Sequence, residues 1–392
     1  MKAFNGNRLK LARQYRGLTV EELSQKIDVS KQTISQYETG KIENVPFDRI
    51  AALSSTLGFP YQYFIQDGDL SVKTGTTYFR SLMKTNKKYR AAQIVKMKHL
   101  AQIYSFLNEY VTFPDLNLPG WIGSITSPKE AADALREYWG LGDKPITDIM
   151  RVAEENGIIV TTFPTDTDDI DAFSQYIEMP EGDVYLIALS KNKDSAVRMN
   201  FDIAHELGHI LLHEWSEDEE ALSREEFKAK EKEANEFAAA FLMPESSFVK
   251  DVSLDPQNLN YYVQLKKKWK VSIGAMLYRS CDLKVISQNQ YQYLIRIMQN
   301  KGWRKSEPLD NVLLSPVPTM FADAVDVLLT NNVFTPKEFV TELSEMGLAM
   351  HASELELLMN LDENTLVQQN SEPIKIVMLK NQKIINKGDF NG

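Results

Sequence analysis

Along the 392-residue chain the spacing of apolar positions changes several times, and each change marks a new kind of element. Between residues 7 and 66 short amphipathic stretches alternate with tight turns. Leu18-Thr-Val-Glu-Glu-Leu-Ser-Gln-Lys-Ile27 opens with a Thr19-x-x-Glu22 capping box. Each of those side chains can satisfy the other's orphan backbone N–H, so a helix starts there. Asp28-Val29 then makes a short turn, and Ser30 caps a second helix, 31–38, that stops near Thr39-Gly40. Two helices joined by about three residues form a helix-turn-helix. Leu23, Ile27, Val29, Ile34, Ile50, Leu53 and Leu57 supply its small core.

Farther on, Ile94, Val95, Leu100 and Ile103 recur at helical spacing, and the Pro-rich loop FPDLNLPG at 113–120 suggests a domain boundary nearby. The pattern then predicts helices over 127–140 and 146–157, the first with Pro at its first turn and Gly at its end. Strands follow at 158–163 and 183–190, with a third at 173–179 between them. A helix is expected over 195–213 and another over 231–244. Further helices begin at Thr335 and Ala352, and a hairpin is expected within 374–385. No internal repeat appears.

Composition narrows the class. With 43% hydrophobic and 25% charged residues the chain is ordinary globular material, which excludes a disordered tail, a collagenous repeat and a mini-protein. Cys281 stands alone and cannot form an internal disulfide, which suits a reducing compartment. The start lacks an apolar h-region, and runs such as VYLIAL at 184–189 fall far short of the ~18 residues a membrane span needs. A cytoplasmic protein without membrane contact is therefore expected. The net charge of −10 hides an asymmetry: residues 1–104 hold 17 Lys/Arg against 8 Asp/Glu, whereas 105–392 hold 27 against 46. A basic head can hold a polyanion that the acidic body would repel.

The helix at 31–38 sharpens that expectation, because its polar face offers Lys31, Gln32, Ser35 and Gln36 with Thr33 beside them. Amide and basic side chains are what base edges and phosphates require, so double-stranded DNA is the expected partner. The basic stretch 73–104 is either an extension of the phosphate-contacting surface or the solvated face of a connecting helix. Over about 60 residues, through LTVEELSQKIDVSKQTISQYETGK, the head resembles the Xre/Cro family of repressors. The resemblance makes Lys31, Gln32 and Gln36 base-facing and pairs Arg13 with Glu38. It departs at Val20, where the family commonly has a Gln that supports backbone contact. A head used only for dimerisation or protein contact is the alternative, and a homodimer stays open.

The most informative five residues are His205-Glu206-Leu207-Gly208-His209. Positions four apart on a helix are ~6 Å apart along the axis and share a face, so both imidazoles can reach one metal ion. Glu206 points about 100° away, poorly placed as a ligand but well placed to take a proton from water that the ion activates. A third ligand must come from elsewhere. His213 lies ~12 Å along the axis from His205, and an interaction with the helix C-terminus suits it better. On the following helix Glu233 stacks one turn before Phe237 and two before Phe241, with Glu236 as its rival, and Ala238, Ala239 and Ala240 allow close approach.

Arg198-x-x-Phe201-x-x-Ala204-His-Glu-Leu-Gly-His209 and Glu233-Ala-Asn through Leu242-Met-Pro244 resemble the ImmA/IrrE family of zinc metallopeptidases. FR at 79–80, REYWGLGDKPI at 136–146, KKKWKVSIGAMLYR at 267–279 and GWRKSEP at 302–308 also look like its long members with an amino-terminal Xre domain. The likeness implies that His205, His209 and Glu233 bind zinc, that Glu206 is general base and general acid, and that Asn235 packs helices. Better-known members cleave repressors, so a partner repressor is the implied protein substrate. The expected architecture is an α+β multidomain chain. It has an all-α helix-turn-helix head (1–68), a basic helical connector (69–125), a zincin-like α+β metallopeptidase body (126–285) and a mostly helical accessory region (286–392). Strand 183–190 is the expected edge for an extended substrate peptide. Two alternatives stay open: a non-proteolytic regulator or antitoxin whose zincin-like body senses a ligand or partner, and a self-cleaving regulator. His99 and His351 are expected to be solvated or locally bonded, Cys281 inert, and Trp269, Tyr278 and Trp303 packing residues.

Overall fold

The structure, a computed structural model, describes residues 3–66, 73–79, 86–120, 124–125, 127–165, 171–179, 182–192, 195–213, 222–304 and 306–367. The hairpin expected at 374–385 lies outside the described residues.

The head is built from α1 (Gly6–Tyr15), α2 (Val20–Lys26), α3 (Lys31–Glu38) and α4 (Phe47–Leu57), closed by a 3-10 turn at Tyr61–Ile65. The Thr19–Glu22 capping box forms, Ser30 caps α3 through the Thr33 N–H, and Asp28 turns the chain with φ +52°. Arg13 and Glu38 pair through two hydrogen bonds of 2.6 and 3.0 Å, while the same guanidinium donates to the Leu18 carbonyl at 2.6 Å. That fork pins the end of α3 to α1.

A strand, β1 (Lys73–Phe79), precedes the long helix α5 (Lys87–Asn108). The helix is less exposed than its charge suggests. Val95, Met97, Leu100, Ile103 and Phe106 are buried, and so are Gln93, Lys96 and His99. His99 is neither solvated nor locally bonded: its Nε2 lies 3.1 Å from the Tyr63 hydroxyl, among the rings of Tyr15, Phe59 and Tyr63. Lys88 pairs with Glu22 of the head at 2.8 Å.

The body comprises α6 (Pro128–Tyr138), α7 (Ile149–Glu155), β2 (Ile159–Phe163), β3 (Ala172–Glu178), β4 (Val184–Ser190), α8 (Ala196–Leu212), α9 (Arg224–Leu242), α10 (Glu245–Val252), α11 (Leu259–Trp269), α12 (Ile273–Asp282) and α13 (Gln288–Asn300). The strands form one sheet in the order β1-β3-β4-β2, with β2 parallel to β4 and the other pairs antiparallel. Strand 183–190 is therefore not the edge that its sequence suggested. β4 is an inner strand, buried from Val184 to Ser190, as its continuous apolar run permits.

Side-chain alternation splits the sheet between two cores. Ile159, Phe163, Phe173, Ile177, Leu186 and Ala188 join the core of the head and α5, whereas Val160, Ala172, Tyr185, Ile187 and Leu189 join the core around α8. Three carboxy-terminal helices, α14 (Met320–Thr330), α15 (Pro336–Glu345) and α16 (Ala352–Met359), also pack into the head's core. Glu354 accepts hydrogen bonds from Tyr15 and Arg16 at 2.8 and 2.9 Å. Asn360, in the left-handed region just after α16, bonds both the N–H and the carbonyl of Thr162 and so covers the β2 edge. Among the described residues no helix is long and apolar enough to cross a membrane.

Candidate metal centre

Helix α8 is buried on nearly every side, which its apolar sequence allows, and α9 starts at Ser223 through a reciprocal capping box with Glu226, earlier than expected. The two helices meet where both are smallest. A Cβ added at Gly208 would lie 3.1 Å from the Ala234 Cα and 3.2 Å from the Phe237 ring, so the backbones are already at close approach. Ala234, more than the later alanines, sets this contact.

That contact decides which carboxylate reaches the histidines. Glu231 stands three residues before Ala234, and its carboxylate lies 3.2 Å from the His209 Nε2 and 3.7 Å from the His205 Nε2. The two Nε2 atoms are 3.1 Å apart, and His205, His209 and Glu231 each bring a ligand atom within 4.8 Å of the others. Tetrahedral ligands at ~2.0–2.1 Å from one ion would be about 3.3 Å apart, so this two-nitrogen, one-oxygen set fits a zinc-like cation. Glu233, expected in that place, turns the other way. Its carboxylate lies 3.1 Å from the His213 Nε2 and is 46% exposed, against 17% for Glu231. Glu236 is 3.6 Å from Lys232.

His213, at the end of α8, does more than face a helix terminus. Its Nδ1 is 2.9 Å from the His209 Nδ1, so Glu233, His213 and His209 form a chain that ends on a triad nitrogen's own ring. Burial, then the neighbouring His209, pushes the His213 imidazole down to about 3 despite Glu233. For Glu231, burial alone would raise the carboxyl, but the hydrogen bonds and charges of His205 and His209 outweigh it and hold it at about 2.

Glu206 is fully buried on the sheet side of α8, where its Oε2 accepts a 2.5 Å hydrogen bond from the Ser174 hydroxyl. Sequence reasoning did not single out Ser174. The signal was available: alternation along β3 puts Ser174 on the α8 face between Ala172 and Tyr176, a small hydroxyl set over an apolar helix. Asn235 donates back to the Glu231 carbonyl at 2.6 Å and so braces α9 at the triad. Arg198 pairs with Asp171 at 2.6 Å, tying the start of α8 to the entry of β3. A cavity of about 960 Å3 opens beside that end of α8, lined by Arg198, Phe201, Asp202, Trp303 and Glu307 among others but by none of the triad.

In the head, α3 presents Lys31, Gln32 and Ser35 exposed and Gln36 half-exposed, while Ile34 and Tyr37 are buried. Thr33 is committed to its cap, its hydroxyl 2.8 Å from that of Ser30. Lys31 lies 3.7 Å from Glu21, a pair so exposed that a competing phosphate could displace it. Cys281 is half-buried with its thiol 3.1 Å from Gln288.

Comparison with protein families gives two matches. The profile of a peptidase family described as IrrE N-terminal-like domain matches residues 153–280, from α7 through α12, and a profile described as helix-turn-helix domain matches residues 6–70. A search of curated proteins returns no match. The first match spans the sheet's inner strands, both triad helices and Glu206, and the second spans the whole head. The chain thus joins an Xre-like helix-turn-helix domain to a peptidase domain of the IrrE/ImmA type.

Proposed function

We propose that the protein is a DNA-binding zinc peptidase that hydrolyses a peptide bond in a partner repressor, with His205, His209 and Glu231 as metal ligands and Glu206 as general base. The observation that carries this reading is the convergence of two buried imidazoles and a carboxylate beside a second carboxylate that is not a ligand. A zinc ion held there would lower the pKa of a water molecule and polarise the scissile carbonyl. Glu206 takes the proton from the attacking water and returns it to the leaving amine. Ser174, holding one carboxylate oxygen, limits Glu206 to a rotamer in which the other oxygen does this work. His213 and Glu233 orient the His209 ring from behind, the role that outer partners of metal-binding histidines generally play. In the head, Lys31, Gln32, Ser35 and Gln36 are the proposed contacts to duplex DNA, since their exposure on one short helix suits a major groove.

Glu206→Gln tests the chemistry, because it removes the proton acceptor while keeping size and polarity. Zinc content and DNA binding should persist, and hydrolysis should fall by orders of magnitude. In cells, the change should abolish target-gene regulation and leave the repressor's termini intact by mass spectrometry. Equal regulation with identical peptide termini, under conditions in which the unaltered protein acts, would sink the protease reading. It would favour a second one, in which the cavity beside Arg198 and Trp303 admits a small ligand and the body acts as a sensor.

A further inference from the structure

Resting on the peptidase reading above, we infer that β1 occupies in cis the sheet edge on which a substrate strand pairs, so that Lys73–Phe79 is a built-in pseudosubstrate. The argument starts from Ser174, whose hydroxyl holds the Glu206 carboxylate at 2.5 Å. It places β3 as the strand nearest the proton-accepting group. In an antiparallel ladder, neighbouring strands lie about 4.8 Å apart, so the backbone opposite Ser174 is the next chain out from the catalytic carboxylate. Tyr78 is that partner, flanked by Thr77 opposite Gln175 and Phe79 opposite Phe173.

Among the described residues the rest of the sheet offers no competing edge. Strand β4 is internal, and β2 lies at the far side, where Asn360 holds Thr162 through both backbone groups. A peptide joining the sheet beside Glu206 must therefore take the place β1 holds, extended and antiparallel to β3, recognised mainly through its backbone. The pairing of β1 is also imperfect. Its register shifts between Thr74 and Thr77, which interrupts the ladder and weakens its hold relative to a regular strand. Because β1 lies between the head's last turn and α5, what the head binds can bear on whether the edge is filled.

A tethered strand competes at roughly millimolar effective concentration, and an intrinsic pairing constant of ~0.1 mM would then suppress activity about tenfold. Two full-length variants test this. Thr77→Pro with Tyr78→Pro removes whichever of these two consecutive N–H groups donates to β3, and Lys73→Cys with Glu178→Cys, which face each other across the pair, can lock β1 in place. Against a proteome-derived peptide library, the zinc-loaded proline variant should cleave about tenfold faster than the unaltered protein. The oxidised lock should be slower than both and recover on reduction. A readout independent of turnover uses the synthetic peptide KTGTTYF with Glu206→Gln added to the proline variant. The peptide should protect amides 172–178 from hydrogen exchange there, and much less where β1 is intact. Equal cleavage rates despite faster exchange at 73–79 in the proline variant overturn the inference, as does a lock that leaves cleavage unchanged. Self-cleavage within 73–79 would make β1 a substrate and also overturn it. If no form cleaves anything while KTGTTYF still seats on β3, the peptidase reading falls and the edge assignment stands.

Discussion

Acidification should loosen the head from α5, and His99 sets the amount. Its side chain is wholly buried, with its Nε2 3.1 Å from the Tyr63 hydroxyl and its ring centre 5.3 Å from that of Tyr15. Burial first, then the charges of Arg8 and Lys98, push the imidazole from its usual 6.5 down to about 3. The folded pKa is lower than the unfolded one, so the stability tied to neutral His99 is fully present above pH 6.5. It is lost as the pH falls from there toward 3. At pH 5 the unfolded imidazole is almost fully protonated and the folded one is not, which amounts to about 2 kcal/mol. Hydrogen exchange of amides in α1 and α5, corrected for intrinsic rates at each pH, reads the opening free energy of this contact. His99→Phe fills the same aromatic cage without titrating. Between pH 7.5 and 5 the unaltered protein should lose about 2 kcal/mol more than the variant in this region. His213 titrates in both proteins and cancels. An identical pH dependence in the two, or a flat profile in the unaltered protein, would refute the argument.

Metal competition against a chelator should rank the glutamates: Glu231→Gln should weaken zinc binding more than a hundredfold, Glu233→Gln roughly ten- to a hundredfold through His213, and Glu236→Gln hardly at all. The reverse order for Glu231 and Glu233 would reassign the ligand. Gly208→Ala gains about 1 kcal/mol of helix propensity but loses about 1–3 kcal/mol to overpacking against Ala234 and Phe237, so a lower Tm and weaker zinc binding are expected. A raised Tm would mean that α8 and α9 separate easily. With the full chain, Gln36→Ala should weaken preferred DNA sites more than random duplex, whereas Lys31→Ala should weaken both and flatten the salt dependence. Binding that ignores salt in a titration would count against a DNA role for the head.

Much of the fold was legible where the determining contacts are local. Thr19, Glu22 and Ser30 lie within one turn of the groups they cap, so α2 and α3 could be read from the sequence, as could β2, β3 and β4 as short runs between turns. His205 and His209 share a face of α8 because four residues make about one turn. Those five letters therefore located the two imidazoles of the candidate metal centre in the sequence. The third member of the set, a carboxylate, was a different kind of question. Glu231 and Glu233 are two residues apart on one helix, and the choice depends on how α9 is rotated against α8, which the fit of Ala234 onto Gly208 decides. Alignment with Phe237 and Phe241 pointed instead to Glu233, whose carboxylate meets His213. The same limit explains His99, which meets Tyr63 from 36 residues away, the interior place of β4, the strand that β1 adds to β3, and the return of α14 to α16 to the head. Apolar spacing tells which face of an element must be covered. Its covering partner is set by packing between segments far apart in the chain, and no local pattern encodes that choice.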